Sequence, residues 1–135
     1  IFDAARVTDG ILHAMAEAVR GLPEGATVGG IYFVQIVLSY LVPSGSGQAA
    51  LSLPILTPLA DLTGVTRQTS VLAYQFGDGF SNIFTPTQGY FMAGLALIGV
   101  SWTRWVKFLW PLQVIWLVLG LFFLLIAQAM RWGPF

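Results

Sequence analysis

Three stretches of this chain carry no Asp, Glu, Lys or Arg: 34 positions at 27–60, 25 at 79–103 and 23 at 108–130. A helix needs about 20 predominantly apolar residues to cross a hydrocarbon core of about 30 Å. Only residues 108–130 read as an uninterrupted transmembrane helix, entered after Arg104 and Lys107 and closed by Arg131. Pro111 falls in its first turn, where a missing N–H costs little.

The other two stretches are interrupted by residues that break helices. Residues 27–43 suit a helix of about 25 Å, which stops at Pro43-Ser44-Gly45-Ser46-Gly47-Gln48. Residues 49–60 return over about 18 Å, too short to cross, before a polar corner at 61–67. The pattern predicts a re-entrant hairpin over 27–60 with its tip at 44–48. Pro54 and Pro58 in the return arm then need neighbours or water to satisfy the carbonyls they release.

Beyond the corner, residues 68–99 read as a broken transmembrane helix. A helical piece at 67–76, about 15 Å long, meets Gly77-Asp78-Gly79, Ser81-Asn82 and Thr85-Pro86-Thr87, and helix resumes over 88–99. Both interruptions therefore begin about 15–18 Å in from one corner and share a depth. Irregular backbone is accepted at that depth only where it is buried in protein or lines a cavity. Discontinuous helices meeting near the midplane recur in secondary transporters. A basic loop at 100–107 precedes the last helix, and 131–135 is a tail.

Residues 1–26 differ in character. Val7, Ile11, Leu12, Met15 and Val19 recur at spacings of three and four among Asp3, Arg6, Asp9, Glu17 and Arg20. This predicts an amphipathic interfacial helix capped by Thr8 or Asp9, with His13 lying functionally silent at the interface. Gly25 and Gly29 have a small-xxx-small spacing that suits helix packing. Trp102, Trp105, Trp110 and Trp132 flank the last helix as interfacial anchors.

Composition narrows the class. The 135 residues are 56% hydrophobic and 9% charged, with six basic and six acidic side chains. Soluble domains run at about 25% charged, so an all-α integral membrane protein is expected. The balanced charge removes the footprint of a nucleic-acid binder. The absence of cysteine and the single histidine exclude thiolate and His-rich metal centres.

The two breaks carry the candidate chemistry. At the tip, Gly45 and Gly47 permit close backbone approach, while Ser44, Ser46 and Gln48 offer neutral donors and acceptors. The return arm begins there, so its unpaired N–H groups suit a carboxylate. Carbonyls at the end of the incoming arm suit a small cation such as sodium. The second break adds Ser81, Asn82, Thr85 and Thr87, together with Asp78, the one acid at this depth. A charged Asp at a helix centre costs about 2.5–3.5 kcal/mol on insertion scales, so it calls for a partner. Ser46, Asn82, Thr85 and Asp78 are the candidate sodium ligands. Asp78 also fits a proton carrier or a plain helix cap. A membrane hydrolase using Ser46 or Asp78 lacks a base near the serine, so no enzyme is expected.

These residues are also familiar in sequence. The run Pro43-Ser44-Gly45-Ser46-Gly47-Gln48-Ala49-Ala50-Leu51, continued by Pro54-Ile55-Leu56-Thr57-Pro58-Leu59-Ala60-Asp61, resembles the carboxy-terminal half of the YfcC-like branch of the anaerobic C4-dicarboxylate carrier (DcuC) family. Arg67-Gln68-Thr69, Tyr74-Gln75-Phe76-Gly77-Asp78-Gly79-Phe80-Ser81-Asn82 and Thr85-Pro86-Thr87 extend the resemblance. Thr8-Asp9-Gly10-Ile11-Leu12-His13 is similar to the family's stretch ahead of the hairpin. The aminobenzoyl-glutamate transporter family is similar around 74–86 and fits the tip less well.

The resemblance implies a multi-pass carrier of the bacterial inner membrane within the ion transporter superfamily. Its inverted repeats would each supply one hairpin and one broken helix, and transport would be elevator-like. The substrate would be a small organic anion such as a dicarboxylate, or an amino acid, with sodium or a proton as coupling ion and no other cofactor. Ser44, Gly45, Ser46 and Gly47 match the tip, and Asp78, Ser81, Asn82, Thr85 and Thr87 match the broken helix. Each motif occurs once, so the chain reads as a carboxy-terminal part carrying one half of the site. Its expected partners are membrane lipid, the amino-terminal half, a second copy of the carrier and the substrate. The competing reading is a small accessory membrane subunit with no transport role.

Charge fixes an expected orientation. Arg104 and Lys107 place 101–107 in the cytoplasm, with the corner and the carboxy-terminus outside. In intact cells an impermeant thiol reagent should label Thr63→Cys and spare Thr103→Cys. The reverse pattern would invert the topology.

Overall fold

The computed structural model describes residues 21–133 together with Gly10, Ala14 and Glu17. The helix expected over 1–26, with its Thr8 or Asp9 cap and His13, otherwise lies outside the described residues. From residue 21 onward every regular element is helical: α1 (Glu24–Leu41), α2 (Gly45–Thr63), α3 (Arg67–Ser81), α4 (Gly89–Leu97) and α5 (Trp102–Ala129). α1 packs chiefly along α3; α2 and α5 each lie against both.

Three boundaries differ from the sequence reading, each for a local reason. The first break is confined to 42–44, because Ser44 caps α2: its Oγ accepts the Gly47 N–H at 3.3 Å. Gly45, Ser46 and Gly47 are thus the first turn of a helix. α2 has 19 residues, about 28 Å, so its length does not separate a re-entrant arm from a crossing one. The second break begins at Asn82, five residues later than expected, because α3 runs unbroken through Gly77, Asp78 and Gly79. The basic loop is largely absent. α5 starts at Trp102, takes in Arg104 and Lys107, and holds Pro111 inside the helix rather than in its first turn. At 28 residues α5 is the one helix among the described residues long and apolar enough to cross a membrane.

Gly77 has a packing role in place of a breaking one. A Cβ at this position would lie 2.6 Å from the Gln35 Cβ and 3.1 Å from backbone atoms of Gln35 and Ile36. The two backbones meet there because no side chain intervenes. From that level α1 runs six more residues to Leu41, about 9 Å, and α3 four more to Ser81, about 6 Å. Their ends are therefore within a turn of each other in height, and the two breaks sit side by side.

At the other end the corner is clamped. Gly64 caps α2 in the left-handed region at φ 77. Gln128 of α5 donates to the Gly64 carbonyl at 2.9 Å and to Glu24 at 3.1 Å, and accepts the Thr66 N–H at 3.0 Å. Thr66 in turn caps α3 through the Thr69 N–H. The start of α1, the α2–α3 corner and the end of α5 thus share one end of the molecule. Arg67 grips Asp61 across the corner at 2.7 and 2.8 Å. Chiefly through this hydrogen bond it holds the Asp61 carboxyl below its usual range. A carboxyl lowered in this way stabilises the fold at neutral pH, and the contribution is lost as pH falls through the lowered value.

The core around Val28, Ile31, Leu56, Leu59 and Leu124 is apolar, but many polar side chains are buried beside it and large apolar ones face outward. Thr27, Gln35, Ser39, Ser52, Thr69 and Thr85 are fully buried. Phe108, Ile115, Val118, Phe122 and Phe123 on α5 are exposed, as is Met130 at its C-cap. A contiguous apolar exterior of this kind is a liability in water and fits a lipid surround. Gly25 and Gly29 receive Leu125 and Leu121 of α5 at contact distance, the packing role their spacing suggests.

The crossing yields a stability prediction. Gly77→Ala should cost about 1–3 kcal/mol by forcing α1 and α3 apart. Gly79→Ala meets nothing within 4 Å and should hold or raise the thermal midpoint in detergent. Equal effects of the two would show that Gly77 is not set by the crossing.

Candidate substrate and ion site

The site forms where the end of α1, the first turn of α2 and the last turn of α3 converge. α3 presents Ala73, Tyr74, Gly77, Asp78 and Ser81 inward. Gly77 admits α1, and one turn beyond Gln35 the Ser39 hydroxyl donates to Asp78 Oδ1 at 3.4 Å. Asn82 Nδ2 approaches Oδ2 at 3.5 Å. Gln88 donates to Asn82 Oδ1, which turns the amide NH2 of Asn82 toward the carboxylate. Gly45 lies against the same carboxylate: a Cβ there would be 3.0 Å from Asp78 Oδ2. Tyr74 fixes the tip in place by donating its hydroxyl to the Gly45 carbonyl at 2.7 Å.

Asp78 is buried, and its hydrogen-bonding partners, Ser39 and Asn82, are neutral. Among the described residues the ion pairs are Arg67–Asp61 and Arg131–Glu24, both at the clamped end. A buried acid among neutral donors inside a helical membrane protein marks a candidate functional position.

Beside it lies an amide pair. Gln48 Nε2 donates to the Gln35 carbonyl at 2.9 Å and to Gln35 Oε1 at 2.8 Å. A carbonyl can only accept, so these two bonds fix both amides. Gln35 Nε2 and Gln48 Oε1 are left buried without partners.

The residues expected from the sequence divide as follows. Gly45, Asp78 and Asn82 come together, and Gln48 sits on the adjoining α1–α2 contact. Ser44 is the α2 cap. Gly47 has the Ser44 side chain 3.2 Å from where its Cβ would stand. Ser81 and Thr85 are buried and donate to the carbonyls of Gly77 (2.6 Å) and Ser81 (3.1 Å). Ser46 and Thr87 are exposed, and no hydrogen bond joins them to Asp78. Of the four candidate sodium ligands, only Asn82 and Asp78 touch.

Sequence reasoning missed Gln35, Ser39, Tyr74 and Gln88. A signal was present: Gln35 and Ser39 are the polar positions of the apolar run 31–39, spaced i, i+4 on one helix face. Two of the tryptophans expected as interfacial anchors also make inward hydrogen bonds. Trp105 and Trp102 donate their indole N–H groups to the carbonyls of Ile83 and Phe84, both at 3.0 Å. Gln113 donates to the Phe80 carbonyl at 2.8 Å.

An oily exterior along α5 and two adjacent helix breaks around one buried acid mark an all-helical protein with one helix able to cross a membrane. The chain belongs to the C4-dicarboxylate anaerobic carrier (DcuC) family, whose pattern it matches over residues 1–129. It is 47% identical over 103 residues to the Escherichia coli protein named "Putative basic amino acid antiporter YfcC", covering 76% of this chain and 20% of that protein. It is 34% identical over 130 residues to an uncharacterised Haemophilus influenzae protein, covering 96% of this chain and 25% of that one. The chain thus spans a fifth to a quarter of the length of these relatives. No solved structure matches it.

The amide pair supplies a test. Gln48→Leu strands the Gln35 amide and should cost about 1–3 kcal/mol. Changing both Gln35 and Gln48 to Leu removes both partners and should recover part of that loss. A double variant no more stable than Gln48→Leu, by thermal melting in detergent, would remove the pair from the account.

Proposed function

We propose that this chain forms one wall of the substrate and ion site of a secondary active carrier in the bacterial inner membrane. The opposite wall is supplied by the amino-terminal half of the carrier, related by an inverted repeat. α1 and α2 act as a re-entrant hairpin, α3 and α4 as a broken transmembrane helix, and an elevator-like movement carries the site across the membrane.

The observation that carries this reading is the contact of the α2 amino-terminus with Asp78. Gly45 sits at a helix start, where unpaired N–H groups and the dipole favour a carboxylate. Asp78 lies beside it and favours an ammonium group. The two charges of an amino acid match that pair better than the two like charges of a dicarboxylate. The name given to the YfcC relative, an antiporter of basic amino acids, agrees with an acid at the centre of the site. The coupling ion is a proton or sodium at Asp78, with Asn82 beside it.

The full-length carrier in proteoliposomes should take up labelled arginine in preference to succinate. Asp78→Asn keeps the shape and removes the charge. Gradient-driven uptake should then fall to background, under both pH and sodium gradients, and substrate exchange should weaken with it, because the ammonium group loses its counter-charge. Uptake at the unsubstituted rate would reduce Asp78 to a helix cap, since Asn caps about as well.

A further inference from the structure

α5 makes a set of contacts that the site itself does not require. Its side chains donate to three carbonyls in and beside the second break: Gln113 to Phe80, Trp105 to Ile83 and Trp102 to Phe84. An unwound backbone away from water has to find such donors, since each buried unsatisfied carbonyl is costly. The rings are anchored on the same side. Phe80 lies 6.0 Å from Trp116 and Phe84 5.9 Å from Trp110, centroid to centroid. Gly120 leaves room for the Phe80 ring, which comes within 2.8 Å of where its Cβ would stand. The polar side chains of the segment reach the other way, Asn82 and Asp78 toward Ser39 and Gly45. The segment is thus two-faced, with carbonyls and aromatic rings on α5 and site side chains on the tip.

We propose that Gln113, Trp105 and Trp102 are positioning residues of the binding site, which by holding these three carbonyls on α5 turn Asn82 and Asp78 toward the tip. This rests on the reading of the tip and break as the binding site. It also changes the chemistry open to a cation. Each carbonyl held by α5 has one of its two lone pairs engaged there, so it is a weaker cation ligand than a free one.

Trp105→Phe keeps an aromatic ring against Phe91 and Phe108 and removes only the N–H donor. Gln113→Leu keeps the bulk and removes the amide. In the full-length carrier each should raise amide exchange at Phe84 and Thr85 about tenfold and leave α1 and α2 unchanged. Each should also raise KM for arginine about tenfold, with the maximal rate near that of the unsubstituted protein. Combined with Asn82→Ala, neither should add its full effect, because both act through one segment. Trp102→Phe stands in if Trp105→Phe does not fold. Unchanged exchange, unchanged KM or full additivity would overturn the proposal. If the unsubstituted carrier takes up neither arginine nor succinate, the transport reading falls, and the exchange comparison alone still decides whether α5 holds the segment.

Discussion

The structure turns on the contact of two helix backbones at Gly77. With no side chain between them, α1 and α3 approach until Gln35 and Ile36 backbone atoms occupy the space of a missing Cβ. That distance brings Ser39 to Asp78 and sets the ends of α1 and α3 at one height. It also presents the Gln35 amide to Gln48 on α2. A wider crossing would break the Ser39–Asp78 contact first, because both side chains are short.

A second constraint follows from an interior that excludes water. Hydroxyls return to carbonyls four residues back, as in Thr57 to Leu53 and Ser81 to Gly77. Where the helix ends, hydrogen-bond partners come from another element. Gln128 serves the corner and Gln113 the upper part of α3. These two lie fifteen positions apart, about 22 Å, close to the 21 Å between Thr66 and Phe80 on α3. α5 is therefore antiparallel to α3 and in step with it along its whole length. Two glutamines in an apolar helix are what hold that step.

Much of this was legible in the chain. Charge-free stretches, the polar corner and the two interrupted segments gave a helical membrane class and a convergence of tip and break. Asp78, Asn82 and Gly45 could be named because acid, amide and glycine are scarce at that depth. The boundaries were less legible. Glycine marks a helix break or a close crossing equally well, and only the partner helix decides which applies at Gly77. Ser44 could be read as a ligand or as a cap, and capping added a turn to α2. Tryptophan near a helix end suits a lipid interface, but the carbonyls of Ile83 and Phe84 were invisible as acceptors until the break was placed. Gln35 and Ser39 escaped notice because neutral side chains in an apolar run leave the charge pattern untouched.

The clamp at Gln128 has a consequence for biogenesis. Glu24 and Gln128 are 104 positions apart, and the Gly64 and Thr66 contacts span 64 and 62. A ribosome delivers α1, the corner and α3 long before α5. Through that interval the Gly64 carbonyl and the Thr66 N–H must be held by water, which requires the corner to wait at an aqueous surface. A helix made some hundred residues later, α5, is the one that closes α1. A nascent chain arrested before residue 128 would therefore sit in the membrane with its helices formed and its corner still open.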